Sequence, residues 1–291
     1  MTQIIQSLDE IQSQYPAMFV DLWGCVHDGV RALPDAVAAL QAYRKSGGVV
    51  VLVTNSPKPR AGVERQLTAV GVPDDAWDAI ASSGDSARAA MFEGVVGKKV
   101  WFMGDWERDG GFFDPMQVIS DPVAIERVPL EEAEGIVCSG LFPDQSKPEE
   151  SRPQFLYAKQ KGLKLLCANP DIVVDRGDTR EWCAGALAQL YTEMGGESFY
   201  FGKPHPPIYD LARRRLAALG RDVETGSILA IGDGVQTDIL GAMGEGIDSL
   251  FISGGLALKE TNTTHQPDET ALRSYLEKEK VEPTFTIGAL R

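Results

Sequence analysis

Long apolar runs are missing from this chain, and so is any excess of basic residues. No apolar stretch approaches the roughly 20 residues that a bilayer-spanning helix requires, so a membrane-embedded role is not expected. The opening stretch, MTQIIQSLDEIQSQ, is polar and acidic where a secretory leader is basic and then apolar, and a cytoplasmic protein is expected. With 28 Lys and Arg against 42 Asp and Glu, the formal net charge is -14, which argues against nucleic acid or an anionic membrane as the principal partner. Cysteine is sparse too. Cys25, Cys138, Cys167 and Cys183 show no CxxC spacing, so neither a disulfide framework nor a cysteine-based zinc site is indicated, and buried thiols are the expectation. Repeats, low-complexity tracts and long charge runs are absent. What is present is 291 residues of 43% hydrophobic content, enough for one large domain or two ordinary ones.

Short apolar runs rich in branched side chains alternate with helical patterns. AMFVD (17–21) and GVVVLVT (48–54) read as strands buried on both faces. PDAVAALQAYRKSGG between them has apolar residues at helical spacing, Pro34 near its start and Gly47-Gly48 at its stop, so the three form a βαβ unit. PIYDLARRRLAALG predicts a helix, GSILAIG a strand, TDILGAMGEG a helix and DSLFIS a strand. Both ends of the chain should therefore build one parallel sheet. The middle repeats the pattern: KKVWFMG, GIVCSGL, LKLLCANP and ESFYFG as strands, with PQFLYAKQKG and EWCAGALAQLYTEMGG as helices. The expected fold class is α/β, a Rossmann-like core with a parallel sheet (residues 1–82 and 201–291) interrupted by an inserted α/β cap domain (83–200). KETNTTHQPDET is expected to be a loop or disordered, followed by a short helix at LRSYLEKEK.

Four polar clusters fall at the carboxyl ends of core strands: Asp21, then Thr54-Asn55-Ser56, then Lys203, then Asp233 with Asp238. Ligands of open α/β sheets bind at that edge, so the clusters can converge on one site. A carboxylate pair such as Asp21 and Asp233 suits a hard cation like Mg2+, and a lysine, hydroxyls and loop amides suit anionic oxygens. Plainer readings stand beside these. An aspartate after a strand also serves as a turn or helix cap, Thr54 to Ser56 can cap a helix entered at Pro57, and Asp238 can be a first-turn acid favoured by the helix dipole. A dinucleotide-binding protein would show GxGxxG after the first strand, and DLWGCVHDG does not.

In order and spacing, DLWGCV, VTNS, GKP and GDGVQTDI resemble motifs one to four of the haloacid dehalogenase superfamily of aspartate-nucleophile hydrolases. The stretch from Asp21 to Thr54 is too short for a cap, whereas that from Ser56 to Lys203 holds a large one. This placement resembles the class IIA branch, the NagD type, with para-nitrophenylphosphatase and pyridoxal phosphatase. The resemblance implies a Mg2+-dependent phosphatase of a small phosphorylated metabolite. Asp21 would be the nucleophile, Thr54, Asn55 and Ser56 the phosphate-binding residues, and Lys203 the neutralising cation. Asp21, Asp233, Asp238 and the Trp23 backbone carbonyl would form the metal site. Asn169 and Asp171, in CANPDIVVDRGD, resemble the cap segment of this branch that contacts substrate, with Arg176 a further candidate. Asp85 and Arg88 fall near a domain joint as candidate hinge residues. Oligomerisation through the cap, as a homodimer, is compatible with the branch.

The departure is Trp23. Phosphatases of the superfamily carry a second aspartate there, which protonates the leaving group and then activates water, help typically worth about 10²- to 10⁴-fold. An indole N–H does not titrate in the useful range. Three readings stay open: a substrate whose leaving group needs no proton, such as an acyl or activated aryl phosphate; a substitute acid among Asp28, His27 and His205; or a noncatalytic protein that binds a phosphorylated ligand.

Overall fold

The computed structural model describes residues 2–116, 121–176 and 179–291. The chain divides into two compact units. The first comprises Met1–Thr54, Glu64–Ala81 and Lys203–Arg291, and the second Asn55–Val63 and Ser82–Gly202.

The first unit is built on a seven-stranded sheet in the order Gln3–Ile4, Phe285–Ile287, Asp248–Ile252, Ile228–Gly232, Ala17–Val20, Val49–Thr54, Ala79–Ser82. Pairing is parallel from the first strand through the sixth. The central strands are buried along their whole length, as their unbroken apolar runs require. Alternation within them sorts the side chains. Ala17, Phe19, Val49, Val51, Val53 and Ala230 pack on one face against Ile208, Leu211 and Leu216 of helix Pro206–Ala218. The helix Pro34–Lys45 starts on its proline and stops just before Gly47, whose φ is +99, as its sequence predicts.

The second unit has a five-stranded parallel sheet, ordered Glu197–Tyr200, Lys164–Cys167, Gly135–Cys138, Lys99–Met103, Glu126–Arg127. Ile136, Cys138, Leu165 and Cys167 meet Phe155 and Leu187 on one face, while Val100, Phe102, Val137 and Leu166 meet Ala87, Met91 and Phe92 on the other. An antiparallel pair, Val173–Arg176 with Thr179–Trp182, stands apart from that sheet.

Several sequence expectations need correction. The helix read from Glu181 begins at Ala184, because Glu181 and Trp182 pair with Val174 and Val173. The helix expected at Pro57 starts at Arg60, whose N–H is received by the Asp85 carboxylate at 3.2 Å. Of the two readings for KETNTTHQPDET the loop holds, up to the helix Glu269–Glu279: Thr261 and Thr263 are buried and share a hydroxyl hydrogen bond of 2.7 Å, and Thr263 donates to Ser253 Oγ. Asn55–Val63 groups with the second unit, whereas the expected boundaries put it in the first.

Asp85 and Arg88 form a buried ion pair at 3.0 Å, and the Arg88 guanidinium also donates to the Phe112 and Asp114 carbonyls. They therefore tie the helix Ser83–Phe92 to the chain at 112–114 within the second unit, an anchor and not a pivot. Breaking a buried pair leaves a charge uncompensated. Arg88→Met is expected to lower unfolding stability by about 3 kcal/mol, measured by urea denaturation with unchanged m-value.

Candidate active site

The ends of two adjacent strands begin the site. Val20 pairs with Ile231, and the Asp21 N–H continues the ladder to the Ile231 carbonyl at 2.8 Å, so Asp21 leaves its strand beside Gly232 and Asp233. The chain then turns tightly on one oxygen. The Leu22 carbonyl accepts the N–H groups of Cys25, Val26 and His27 at 3.4, 2.8 and 3.1 Å. Gly24 makes this turn with φ +74, and a methyl group there would overlap the Asp233 carboxylate. Only glycine meets both demands. Gly24→Ala is expected to destabilise the fold by about 1–3 kcal/mol through backbone strain alone and to displace Asp233. Thermal unfolding of the variant against the native protein measures the loss.

Lys203 is the hub of the ionic cluster. Its Nζ donates to Asp21 Oδ1 at 2.5 Å and Asp238 Oδ1 at 2.6 Å, and all three side chains are buried. Burial works against the ammonium, but Asp21 and Asp238 outweigh it and hold Lys203 well above the ordinary lysine range. Asp238 lies in a wide turn, Val235–Ile239, that runs into helix Leu240–Glu245. Its second oxygen accepts from the Gly234 N–H at 3.1 Å and the Thr237 hydroxyl at 3.3 Å. Both its oxygens are thus engaged, and Asp238 supports Lys203.

Asp21 and Asp233 present a different environment. Burial, then the charge of Asp238 against that of Lys203, pushes Asp21 up to about 7. Burial and then Asp21 push Asp233 well above the usual carboxylate range. One Asp233 oxygen accepts the Leu256 N–H at 3.1 Å. Ligand atoms of Asp21, Asp233 and Cys25 lie within 4.8 Å of one another. Two buried carboxylates, one of which raises the other's proton affinity, are a fitting seat for a dication.

Trp23 packs onto its own loop. Its ring meets His27 edge-on, with centroids 5.4 Å apart, and lies over Gly29, whose φ of +85 and lack of a side chain make the space. His27 Nδ1 accepts the Gly29 N–H at 3.0 Å, so the proton of the neutral ring sits on Nε2. Burial lowers His27, and the charge of Asp28 works against that shift. Asp28 is committed to a turn, accepting the N–H groups of Val30 and Arg31 at 2.9 and 2.8 Å. Burial likewise lowers His205, which precedes helix Pro206–Ala218. Neither His27 nor Asp28 makes a hydrogen bond to the carboxylate cluster among the described residues.

The remaining candidates divide by unit. Thr54, buried, ends the strand paired to that of Asp21. In the second unit the Asn55 amide donates to Asp171 Oδ1 at 2.8 Å, and Asn169 Oδ1 accepts the Asp171 N–H at 3.0 Å, so these three form one network. Ser56 Oγ accepts the Lys58 N–H at 3.3 Å. The side chain of Arg176 lies outside the described residues. Sequence reasoning passed over Cys25 as a buried thiol. The signal available was its place four residues after Asp21, where the turn on Leu22 brings it back over the carboxylate.

Fold and site together define a class: an α/β protein with an ionic cluster at the carboxyl edge of a parallel sheet and an α/β domain inserted between its second and third motifs. Comparison with known proteins places the chain within it. The model of haloacid dehalogenase-like hydrolases matches residues 18–109, and that of HAD-hydrolase-like proteins matches residues 200–277. A haloacid dehalogenase-like hydrolase from Brucella suis 1330 is 37% identical, over 99% of this chain and all of that one, with a TM-score of 0.83. A possible sugar phosphatase from Cytophaga hutchinsonii is 17% identical over 99% and 98% of the two chains, with a TM-score of 0.74. A p-nitrophenyl phosphatase from Archaeoglobus fulgidus is 19% identical over 94% and 96%, with a TM-score of 0.68. No curated protein matches the chain. The chain belongs to the haloacid dehalogenase-like hydrolase family, and both the α/β fold class and the class IIA resemblance are borne out. No helix among the described residues is long and apolar enough to cross a membrane.

Proposed function

We propose that the protein is a divalent-cation-dependent phosphatase of a small phosphorylated metabolite, working through a phospho-Asp21 intermediate. The observation that carries this reading is the Lys203 ammonium held between Asp21 and Asp238, with Asp233 beside them. Phosphoryl transfer asks for an in-line nucleophile and compensation of charge on the equatorial oxygens. Asp21 Oδ supplies the attacking pair, the phosphorus–oxygen bond to the leaving group breaks, and water then hydrolyses the acyl phosphate to restore Asp21. Lys203 neutralises charge at Asp21 throughout, and Asp238 fixes its position. Asp21 and Asp233 would hold Mg2+, with the Trp23 carbonyl as a further oxygen, and the bound ion would offset charge on the phosphoryl oxygens. Thr54 and the 55–56 segment supply phosphate-binding groups, and the Asn55, Asn169 and Asp171 network shapes the substrate-contacting end of the second unit. The phosphatase names borne by the Cytophaga and Archaeoglobus relatives support the reaction class.

The proton is where this chain differs. Trp23 is fixed against His27 and Gly29 and carries no transferable proton, so leaving groups of low basicity are favoured: acyl phosphates and activated aryl phosphates. The test is phosphate release with Mg2+ from alkyl, aryl and acyl phosphates. Turnover is expected for the last two and weak for alkyl esters. Trp23→Asp restores an acid and is expected to raise alkyl-ester turnover by about 10²- to 10⁴-fold. Absence of turnover in the native protein on every ester, with activity appearing only in Trp23→Asp, supports the alternative of a noncatalytic phospho-ligand-binding protein.

A further inference from the structure

The cation seat contains a group that a Mg2+ site has no use for. Cys25 is 1% exposed, and its Sγ lies within 4.8 Å of carboxylate oxygens of both Asp21 and Asp233. Two donors about 2.0–2.3 Å from one ion stand at most about 4–4.6 Å apart, so three donor atoms gathered within 4.8 Å of one another are near enough to close on a shared ion. Two other cysteines of this chain differ. Cys138 and Cys167, buried in the second unit, direct their thiols to the carbonyls of Gly140 and Asn169 at 3.8 and 3.2 Å. The Cys25 thiol has no hydrogen-bond partner among the described residues and is turned toward two carboxylates. Mg2+ takes oxygen ligands in a near-ideal octahedron and gains nothing from sulfur, whereas borderline and soft ions prefer it.

We infer that Cys25 is a ligand for thiophilic divalent ions in this seat, giving Zn2+, Co2+ and Cd2+ one sulfur and two carboxylate donors where Mg2+ has oxygens alone. The inference rests on reading Asp21 and Asp233 as the cation seat and adds a metal preference to it. As the sulfur–metal bond forms, the thiol proton passes to solvent, with no change of oxidation state. The seat therefore takes two kinds of ion, one that leaves the thiol idle and one that engages it.

Co2+ is the probe. Added to the full-length protein, it is expected to give a near-ultraviolet sulfur-to-cobalt charge-transfer band that Zn2+ abolishes. Cys25→Ser, which conserves volume, is expected to lose the band, to keep Co2+ binding through the carboxylates, and to bind Zn2+ at least about tenfold more weakly. X-ray absorption of the Zn2+-loaded native protein is a second measurement that needs no variant, with one sulfur expected at about 2.3 Å. Co2+ binding without the band, or a zinc shell of oxygen alone, overturns the role of Cys25 and leaves the carboxylate seat standing. A band unchanged in Cys25→Ser also overturns it. Failure of Co2+ to bind, or equal binding to Asp233→Asn, overturns the seat and the inference together.

Discussion

Asp21→Asn is expected to reduce phosphate release by on the order of 10⁶, the scale on which removing the nucleophile of a hydrolase acts. The amide is nearly isosteric but far less nucleophilic than a carboxylate. A folded, inactive protein is the expected outcome, and it should be no less stable than the native one. Burial and Asp238 raise Asp21 from 3.8 to about 7, so the native state holds a proton that the unfolded chain has released. Where the folded state binds more protons, unfolding free energy falls as pH rises. The ionised Asp21 therefore weakens the cation-free native protein progressively between about pH 4 and about pH 7. The stability of Asp21→Asn relative to native should grow across that window in EDTA. Phosphate release and denaturant midpoints at two pH values check both halves of the expectation. Retained turnover in Asp21→Asn would remove the nucleophile assignment.

Lys203→Met is the second large effect, and it strikes stability and rate together. Its ammonium is the shared donor to Asp21 and Asp238, each buried. Removing one partner of a buried pair destabilises by about 3–5 kcal/mol, and here two carboxylates lose theirs. Loss of a charge that compensates a transferring phosphoryl group is expected to lower turnover by about 10³- to 10⁵-fold, by comparison with catalytic arginines. Asp21→Asn added to Lys203→Met deletes one orphaned carboxylate and should recover part of the stability while recovering no activity. A double-mutant cycle in urea measures the coupling. Additive stabilities would show that the contacts at 2.5 and 2.6 Å contribute little.

The parts legible in the sequence were those fixed by local pattern. Asp21, Thr54 and Asp233 each follow an unbroken apolar run, and such runs are buried parallel strands whose ends share one edge of the sheet. Lys203 was legible through its company. The edge strand Gln3–Ile4 and its neighbour Phe285–Ile287 were not, because two and three residues carry no periodicity. The pair Val173–Arg176 and Thr179–Trp182 was read as a loop leading into a helix, since Glu181 and Trp182 fit a helical pattern as well as a strand. Asp238 could be read as ligand or support, and its hydrogen bonds to Lys203, Gly234 and Thr237, which give it a supporting contact, have no trace in the sequence. The alignment of Cys25 with Asp21 and Asp233 depends on three N–H groups converging on one carbonyl, a feature of folding back that no spacing rule encodes.

The company kept by Lys203 also dictates an order of events. Once Asp21 and Asp233 have given up their protons, they and Asp238 outnumber the Lys203 ammonium, so the deprotonated, cation-free residues offer a phosphate dianion three carboxylates against one ammonium. Like charges in a buried cleft repel strongly, and diffusional capture of an anion there is suppressed. Phosphate should therefore be a ligand only of the cation-loaded protein. Product inhibition by inorganic phosphate becomes a reporter of cation occupancy: it deepens as the dication saturates and vanishes in EDTA, and the steady-state pattern is that of compulsory addition, cation before phosphoester.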